Sequence, residues 1–421
     1  MKFSTLLVAC AALAAPLARA DAPMSLSLPE VLRLAGSNFD VAVARSGLDA
    51  ARADILAANH APLPQLTLKS SQMDLQNGLG PGNLFTEKRI DKSIGIDWTW
   101  ERGNKRGLRT AAARAAADAA AGDLADVRRQ QLGLAMNASV DLATAQQRVD
   151  EVTQLKRSAD DLMAAMRTRH GVGDISAQDL ARAEIENSRA GIDLANANAD
   201  RRRASLALAR LIGLGSDAIG IDASVWPVPA ATEPLEESQR AAAVARRADV
   251  QAADARIQAA QATLDGTLAT RKSDVTWGVS VDHYPGTSTR LVELRLQMPL
   301  QIGYSQQGEI GRAQAQLQQA RDLADRTRLM AEADLNQAWL DLQASARTLN
   351  VHETELLPKA RQVLAQAELA YRKGAMPLTD LIDARRSLRA AVLDGLAARA
   401  DHARATGAWA LLTDPDFAKL P

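Results

Sequence analysis

Two stretches of the chain alternate strictly between apolar and polar residues, Asp91–Trp100 and Arg290–Leu300. Alternation with a period of two is typical of strands that bury one face. Gly303, which follows the second stretch, lies 200 positions after Gly103, which follows the first. The pattern therefore indicates an internal duplication. The apolar positions are Ile94, Ile96, Trp98 and Trp100 in the first copy and Leu294, Leu296, Met298 and Leu300 in the second.

Each alternating stretch has a predicted partner strand before it. The partners are Gln65–Lys69 in the first copy and Asp274–Asp282 in the second, so that hairpins are predicted over residues 65–100 and 274–300. The loop of the first hairpin is rich in Asn, Gly and Pro and is far longer than the loop of the second. Because length varies most where loops meet solvent, the hairpin tips are expected to be exposed.

A very long helix is predicted after each hairpin. The segment Asn104–Arg169 contains no proline and could extend for ~100 Å as a helix. The corresponding segment begins at Ser305 and continues to Pro358, where a kink is expected. Each long helix ends in a glycine turn, and a returning helix then runs to about Ile212 in the first copy and about Leu412 in the second.

A shorter amphipathic helix precedes each hairpin. In the first copy it begins near Leu28 and ends before Pro62, because proline disfavours a continuing helix. Each copy is thus predicted as helix, strand, strand, very long helix, tight turn and returning helix. The predicted boundaries are 21–212 for the first repeat with its turn at 169–180, 213–234 for an irregular linker, 235–412 for the second repeat with its turn at 371–381, and 413–421 for a C-terminal tail.

The first twenty residues are predicted to be a signal peptide. Lys2 precedes an apolar run, and Ala18-Arg19-Ala20 provides a small-x-small cleavage site. The alternative is lipoprotein processing at Cys10, which follows a lipobox-like sequence but has only nine residues before it. If Cys10 is removed, the exported chain contains no cysteine, and its stability must come from packing or oligomerisation rather than from disulfides.

The composition argues against a nucleic-acid-binding protein and against an ordinary enzyme. Fifty basic and fifty acidic side chains cancel, so that no global field attracts nucleic acid. Aromatic residues make up only 3% of an alanine-rich chain, which is typical of closely packed helices rather than of a core built around large rings. The chain has no Walker A motif, no Gly-x-Ser-x-Gly and no His-Glu-x-x-His, so we predict no catalysis and no cofactor.

The four strands indicate a membrane. Each can supply about ten residues, close to the ~9–11 that cross a bilayer at a tilt. Four strands cannot close into a barrel, so several chains must contribute. Two chains would give eight strands with a filled interior, and three would give twelve with room for a conduit. A soluble sheet covered by the helices is the alternative. The membrane hypothesis assigns Trp98, Trp100 and Trp277 to an interfacial belt and Asp97, Glu293 and Arg295 to a water-filled lumen.

The sequences of the two glycine turns resemble a motif of a known protein family. Gly173 to Leu180 and Gly374 to Leu381 both fit Gly-x-x-x-x-x-Asp-[Leu/Val] after a long helix. With the duplication and the strand-end glycines, this resembles the TolC family of outer membrane efflux factors over essentially the whole mature chain. The resemblance implies a mainly α fold with a small β part, in which a homotrimer closes a 12-stranded barrel in outer membrane lipid above a 12-helix periplasmic tunnel.

The same resemblance implies partners. The helix turns would dock onto a periplasmic adaptor (membrane fusion protein) joined to an inner-membrane pump, and the chain would be a gated exit duct. The residues placed in these docking turns are Gly171, Gly173, Leu180, Gly374 and Leu381. A periplasmic adaptor or coiled-coil scaffold is the alternative, but an adaptor would have one helical hairpin and not two.

The resemblance also implies a gate. Asp380 and Asp383 stand where the family places carboxylates around a closed aperture, and a spacing of three puts them on one helix face. The alternative is a pair of solvated aspartates near a helix N-terminus. Tyr371 and Asp179 match residues that tie the gate shut. The arginine that the family places two residues after the glycine is absent, because Met376 stands there.

The cargo is predicted only by analogy. Glu101–Arg106 looks like the segment of heavy-metal efflux members of the family, although basic residues at a barrel rim also suit lipid headgroups. Met163, Met166 and His170 share a helix face near the first turn, which is a pattern for soft-metal binding or, more often, for packing. The five histidines form no pair at ligand spacing, so no metal site is predicted.

Overall fold

The structure, a computed structural model, describes residues 24–71, 76, 90–215, 219–227, 234–285 and 288–414. The predicted signal peptide with Cys10, most of the first hairpin loop and the end of the C-terminal tail lie outside these residues. The strands are β1 Met24–Leu26, β2 Gln65–Ser71, β3 Asp91–Trp100, β4 Ile219–Ile221, β5 Val275–Tyr284 and β6 Ser288–Gln297. The helices are α1 Leu28–Ala35, α2 Phe39–Ala58, α3 Lys105–Gly171, α4 Ala177–Leu211, α5 Glu237–Arg246, α6 Ala248–Ala269, α7 Gln307–Val351, α8 Leu357–Arg372 and α9 Leu378–Thr413.

The chain divides into two compact units, each built from three segments. We call them the turn unit and the sheet unit, and we describe each by itself. The turn unit comprises Met1–Ala35, Leu134–Pro229 and Ser345–Arg404, and the sheet unit comprises Gly36–Gly133, Ala230–Ala344 and Ala405–Pro421.

The sheet unit contains the predicted four-stranded sheet. Its order is β2-β3-β5-β6 and every neighbouring pair is antiparallel, so that the two hairpins join through β3 and β5. The duplicated strands are thereby confirmed, with one correction at the end of β6. The alternation predicted a strand to Leu300, but β6 ends at Gln297, where its register with β5 reaches Thr276, one residue from the start of β5.

Helices of the sheet unit pack through small side chains, as the composition predicts. One core cluster joins α5, α6, α7 and the end of α9, and it contains one aromatic pair, Trp339 and Trp409, with ring centroids 5.2 Å apart. Arg247, between α5 and α6, has a side chain only 8% exposed and lies 2.7 Å from Asp249 and 3.0 Å from Asp334. Its buried charge is therefore balanced by two carboxylates.

The turn unit contains both glycine turns and a small parallel sheet. β1 pairs with β4 from Met24 opposite Ile219 to Leu26 opposite Ile221. β4 lies within the segment predicted as an irregular linker. Its partner β1 was not predicted, since three residues are too few for alternation to be recognised.

Two predicted helices have a different form in the structure. The first amphipathic helix is divided, with Asn38 capping α2 through a bond from the Val41 N–H to its side-chain oxygen. The predicted kink at Pro358 is a π turn, His352–Leu356, in which the Leu357 N–H bonds to the His352 carbonyl. Since proline lacks an N–H and clashes with the carbonyl four residues earlier, a wider turn before it accommodates the ring.

No helix within the described residues is both long enough and apolar enough to cross a lipid bilayer.

Both long helices end in the same backbone motif. Gly173 and Gly374 have φ of 77° and 71°, in the left-handed region. The Asp174 N–H bonds to the Arg169 carbonyl at 2.9 Å, and the Ala375 N–H bonds to the Ala370 carbonyl at 2.9 Å. This six-residue closure with a left-handed glycine is the Schellman motif, and it explains why glycine recurs at this position in both copies.

We expect Gly173→Ala and Gly374→Ala to loosen their turns. A side chain in the left-handed region costs ~1–2 kcal/mol, and open space around both glycines leaves this strain as the only effect. Amide exchange at Asp174 and Ala375 should accelerate by at least about fivefold in the respective variants. The measurement is native-state hydrogen exchange read by mass spectrometry.

Gly171→Ala is the matched control. Gly171 is the last residue of α3, has nothing within 4 Å of an added Cβ, and does not have a positive φ. Alanine is the better helix former there, so exchange should stay the same or slow. Equal acceleration by Gly171→Ala and Gly173→Ala would contradict the assignment of the strain to the left-handed residue.

Candidate functional site

The four-stranded sheet exposes its apolar face and shelters its polar face. On the apolar face Leu294 is 79% exposed and Trp98 is 62% exposed. On the opposite face of β5, Gly278, Ser280 and Asp282 are buried. A sheet stable in water shows the reverse arrangement, with apolar residues inside. The observed arrangement is that of a strand between lipid and an aqueous interior.

Apolar rows cross the sheet in register. Trp98 of β3 lies opposite Trp277 of β5, which lies opposite Leu296 of β6. Trp100 continues the aromatic patch at the end of β3, and all three tryptophans are more than half exposed. The structure therefore brings together the three residues that the sequence places in an interfacial belt.

An ion pair crosses the polar face. Arg295 of β6 donates through Nη2 to Asp97 Oδ1 of β3 at 3.0 Å, although β5 lies between these two strands. The residue of β5 in register with both is Gly278. A Cβ on Gly278 would lie 2.3 Å from Asp97 Oδ1 and 3.0 Å from Arg295 Nε. The glycine therefore provides the space in which the pair forms.

The polar face is held by further hydrogen bonds. Thr67 Oγ1 of β2 donates to Asp97, and Glu293 lies 4.0 Å from Arg295. Asp97, Glu293 and Arg295, which the sequence places together in a lumen, are thus one connected group. Next to them a Cβ on Gly95 would lie 2.8 Å from the Ser280 Cβ, so the strands also approach closely at this second glycine.

A second cluster joins the two glycine turns of the turn unit. Arg169 Nη1 donates to the Tyr371 hydroxyl at 3.0 Å, and its guanidinium carbon lies 5.4 Å from the centre of the Tyr371 ring. Arg169 Nε also donates to Asp174 at 2.5 Å, and the Tyr371 hydroxyl donates to the Met166 sulfur at 3.4 Å. Met376 stands where the resemblance places an arginine in the second turn, and the arginine that contacts Tyr371 comes from the first turn.

The charges around Tyr371 fix its protonation state. Burial raises the pKa of the Tyr371 phenol, Arg169 opposes this, and the carboxylates of Asp179 and Asp174 raise the pKa further. The hydrogen bond from Arg169 to Asp174 raises the pKa of Arg169. At neutral pH a neutral phenol thus accepts a bond from a charged guanidinium. Asp179 affects the pKa of Tyr371 through the electrostatic repulsion of its negative charge. Its carboxylate accepts a hydrogen bond from the Ser176 hydroxyl at 2.9 Å.

The two predicted aperture carboxylates lie on the exposed side of α9. Asp380 and Asp383 are exposed, whereas Leu381 and Ile382 between them are buried. Asp380 accepts from the Thr379 hydroxyl at 3.3 Å. Asp383 is 72% exposed and lies 3.6 Å from Arg386, whose other guanidinium nitrogen bonds to Glu186. Both carboxylates are therefore available to solvent and are weakly compensated.

The residues assigned to docking differ in exposure. Gly171, Gly173 and Gly374 are exposed. Leu180 is half-buried, and Leu381 is only 2% exposed within the core cluster of the turns. In this chain Leu381 therefore stabilises the turn from inside rather than presenting its side chain to a partner.

The methionine stripe near the first turn is packing. Met163 and Met166 are buried in the same cluster as Leu381, and His170 Nδ1 lies 3.2 Å from the Ile175 carbonyl oxygen. The described part of the chain holds no group of three or more His, Cys, Asp or Glu side chains arranged for a metal ion.

Several residues that build these clusters were not found from the sequence. Gly278 makes room for Asp97, 181 positions earlier (278 − 97), and Arg169 bonds to Tyr371, 202 positions later, so nothing in their local sequence marks them. The duplication offers one signal, because His170 is the first-copy counterpart of Tyr371 and Arg169 lies beside it. Asp282 could have been suspected, since it continues the polar side of the β5 alternation.

Comparison with known proteins agrees with this geometry. Residues 32–214 match the family model described as "Outer membrane efflux protein". The cobalt-zinc-cadmium resistance protein CzcC of Cupriavidus metallidurans is 25% identical over 370 residues, which cover 87% of this chain and 85% of CzcC. The family resemblance inferred from the turns is thereby confirmed.

Solved structures show the same fold. The channel protein CusC aligns with a TM-score of 0.78 and 17% identity over 92% of this chain and 91% of its own. The outer-membrane channel OprN aligns with a TM-score of 0.77 and 20% identity over 92% and 89%. The predicted mainly α fold with a small β part is confirmed.

The space at Gly278 generates a testable prediction. We expect Gly278→Ala to destabilise the sheet by roughly 1–3 kcal/mol, because the added methyl group overlaps Asp97. In an Asp97→Ala background the overlapping atom is gone, so the same substitution should cost much less. The measurement is the free energy of unfolding in detergent for all four members of the double-mutant cycle.

Gly47→Ala is the control, because nothing lies within 4 Å of a Cβ at this helical position in the sheet unit. Its effect should be neutral or stabilising in both backgrounds. An equal cost of Gly278→Ala with and without the Asp97 carboxylate would show that the glycine does not serve the ion pair.

Proposed function

Given that residues 32–214 belong to the outer membrane efflux protein family, we propose that this chain is the outer membrane exit channel of a tripartite efflux system. It lies in the outer membrane, with a long helical part in the periplasm, and conducts substrate from a periplasmic adaptor and an inner-membrane pump to the exterior. The observation that carries the proposal is the exposed apolar face of the sheet.

The edges of the sheet support a homotrimer. Among the described residues of one chain, β2 and β6 each pair with one neighbour, so no strand pairs with their outer N–H and C=O groups there. In lipid every backbone polar group must be paired, and the sheet must therefore close. Three copies of four strands make a twelve-stranded barrel, which is wide enough for a conduit.

The polar face then lines the conduit. Asp97, Glu293 and Arg295 face the lumen, and Trp98, Trp100 and Trp277 lie at the membrane interface. Each chain contributes two carboxylates and one guanidinium to this group, so three copies carry a net negative charge that favours cations. The aperture carboxylates described next add to this preference.

The turns supply the aperture. Three copies of Asp380 and Asp383 gather six weakly compensated carboxylates, which favour cations over anions. Tyr371 and Asp179 hold the closed state, and Arg169 links the two turns of one chain through Tyr371. The exposed glycine turns, with Leu180, form the surface that docks on the adaptor.

Heavy-metal cations are the proposed cargo. The proposal is supported by the likeness to CzcC, whose name describes resistance to cobalt, zinc and cadmium, and by the cation preference of an acidic aperture. The segment Glu101–Arg106 is a weaker support. A duct does not need ligands that hold the metal. The adaptor or scaffold alternative is less well supported, because it does not account for an apolar sheet face exposed over four strands.

The native mass of the extracted protein tests the channel. We expect a complex of three chains, recovered from outer membranes only with detergent, since closure of the barrel needs three copies. Membrane fractionation followed by native mass spectrometry provides the measurement. A monomer released with the soluble periplasmic proteins would exclude the closed barrel and favour the scaffold.

Neutralising the aperture tests the selectivity. We expect Asp380→Asn with Asp383→Asn to reduce the preference for cations over chloride, measured as the reversal potential of single channels in a salt gradient, because six negative charges leave the constriction. Cells that depend on this channel should show altered tolerance to cobalt, zinc and cadmium.

Asp394→Asn removes a charge from the same helix outside the turns and serves as the control, since Asp394 is exposed and has no basic partner within 4 Å among the described residues. Its reversal potential should match that of the unmodified channel. If the double variant also matched it, Asp380 and Asp383 would not form the aperture.

A further inference from the structure

A cavity of about 530 Å³ lies at the end of the sheet where β3 leads into α3. Its walls combine aromatic rings, one helix-loop segment and two charged side chains. The residues that line it include Pro62, Trp98, Trp100, Glu101, Arg106 and Trp277. It opens on the exposed apolar face, because the three tryptophans belong to that face.

Only one of the two charged side chains in the cavity has its charge balanced. Both oxygens of Glu101 accept from Arg109, at 2.9 and 3.3 Å. Arg106 donates through Nε to Asn59 Oδ1 at 3.0 Å, but no carboxylate lies within 4.0 Å of it among the described residues. The Arg106 side chain is exposed. The cavity therefore presents one uncompensated positive charge beside three indole rings.

The apolar face continues from the cavity along the strand. Trp100, Trp98, Ile96 and Ile94 lie on one face of β3 and are all exposed. These positions span roughly 20 Å at the rise of a strand. That length exceeds half of the ~30 Å hydrocarbon core, so an acyl chain of one leaflet can lie along it.

We propose that this cavity binds a phospholipid with an anionic headgroup. The phosphate and headgroup pair with Arg106, the indole rings of Trp98, Trp100 and Trp277 hold the glycerol region, and an acyl chain follows the apolar row of β3. A guanidinium suits phosphate because its fixed fork of donors matches the oxygens, and indoles suit the boundary between headgroup and hydrocarbon.

The proposal rests on the proposed function in one respect, namely that the sheet lies in the outer membrane. The cavity is then at the periplasmic rim, because α3 leads from it into the periplasm. An anionic lipid is favoured as the occupant because its negative headgroup complements the positive charge of Arg106. A second copy of the chain would need to bring a carboxylate to Arg106, and covering the tryptophans would remove them from the interface.

Lipid selectivity tests the site. The purified complex in detergent is titrated with phosphatidylglycerol and, separately, with phosphatidylcholine of the same acyl chains, and bound lipid is counted by native mass spectrometry. We expect the anionic lipid to bind about fivefold more tightly, the usual effect of one basic residue at a charged headgroup. Arg106→Gln should abolish this preference.

Arg271→Gln is the matched control. Arg271 is also exposed, lies in the same unit and donates one Nε bond, to the Ser305 carbonyl at 3.2 Å, but it does not line the cavity. It should keep the preference. If both variants lost the preference for phosphatidylglycerol equally, the lipid would be attracted by basic residues in general, and the proposed site would be wrong. Equal binding of the two lipids by the unmodified protein would also contradict the proposed site.

Fluorescence locates the acyl chain. Phosphatidylglycerol with brominated chains should quench tryptophan emission in the unmodified complex, and quenching should fall in Trp98→Leu with Trp277→Leu. An intact trimer without quenching would indicate that another copy covers the cavity, which overturns the proposal. A monomer outside the membrane fraction would instead reject the channel itself.

Discussion

The requirement that every backbone hydrogen-bonding group be paired in lipid determines the rest of this structure. A single chain provides four strands whose apolar side chains are exposed, and in the part of the chain that the structure describes no further strand lies beside the edges β2 and β6. In water such a sheet would expose both apolar surface and open edges, each of which favours association. When further copies of the chain close the sheet in a membrane, lipid covers the apolar surface and the neighbouring copies pair with the open strand edges. In the proposed barrel, the buried Asp282 and the Asp97–Arg295 pair would lie on the inner side of the closed sheet.

The duplication conserves backbone geometry more strictly than side chains. Gly103 and Gly303 share a positive φ, as do Gly173 and Gly374, so both copies turn the chain in the same way at both ends of the long helix. The side chains around the turns have diverged. Arg169 of the first copy reaches Tyr371 of the second, and the residue at the position equivalent to Arg169 is Ala370. Two similar turns can thus be joined by an asymmetric contact, which a strict repeat could not make.

The periodicity of apolar residues predicted the strands and helices that a single segment determines. It did not predict features that depend on contacts between segments distant in sequence. The alternation of Asp91–Trp100 and the proline-free run after Gly103 gave β3 and α3 almost to the residue, because each pattern is long and carried by local side-chain direction. β1 was missed, since its three residues are a strand only through β4. The end of β6 was placed too late, because Met298 and Leu300 keep the alternation although the ladder with β5 stops at Gln297. The role of Gly278 depends on two strands on either side of it and cannot be read from its neighbours in sequence.

Charge pairing distinguishes the side chains that hold the fold from those that face a ligand or an ion. Arg247 lies between Asp249 and Asp334, Glu101 is bonded twice by Arg109, and Arg295 is bonded to Asp97. Leaving any of these sheltered charges without a partner would be costly. Asp380 and Arg106 are exposed, and neither has an opposite charge within 4 Å among the described residues. Neither charge is needed for the fold, since water solvates both at little cost. Lack of pairing alone does not mark a site, because Asp394 and Arg271 are also exposed without an opposite charge within 4 Å among the described residues. Asp380 and Arg106 differ from them in position, since Asp380 follows a glycine turn and Arg106 lines the tryptophan cavity.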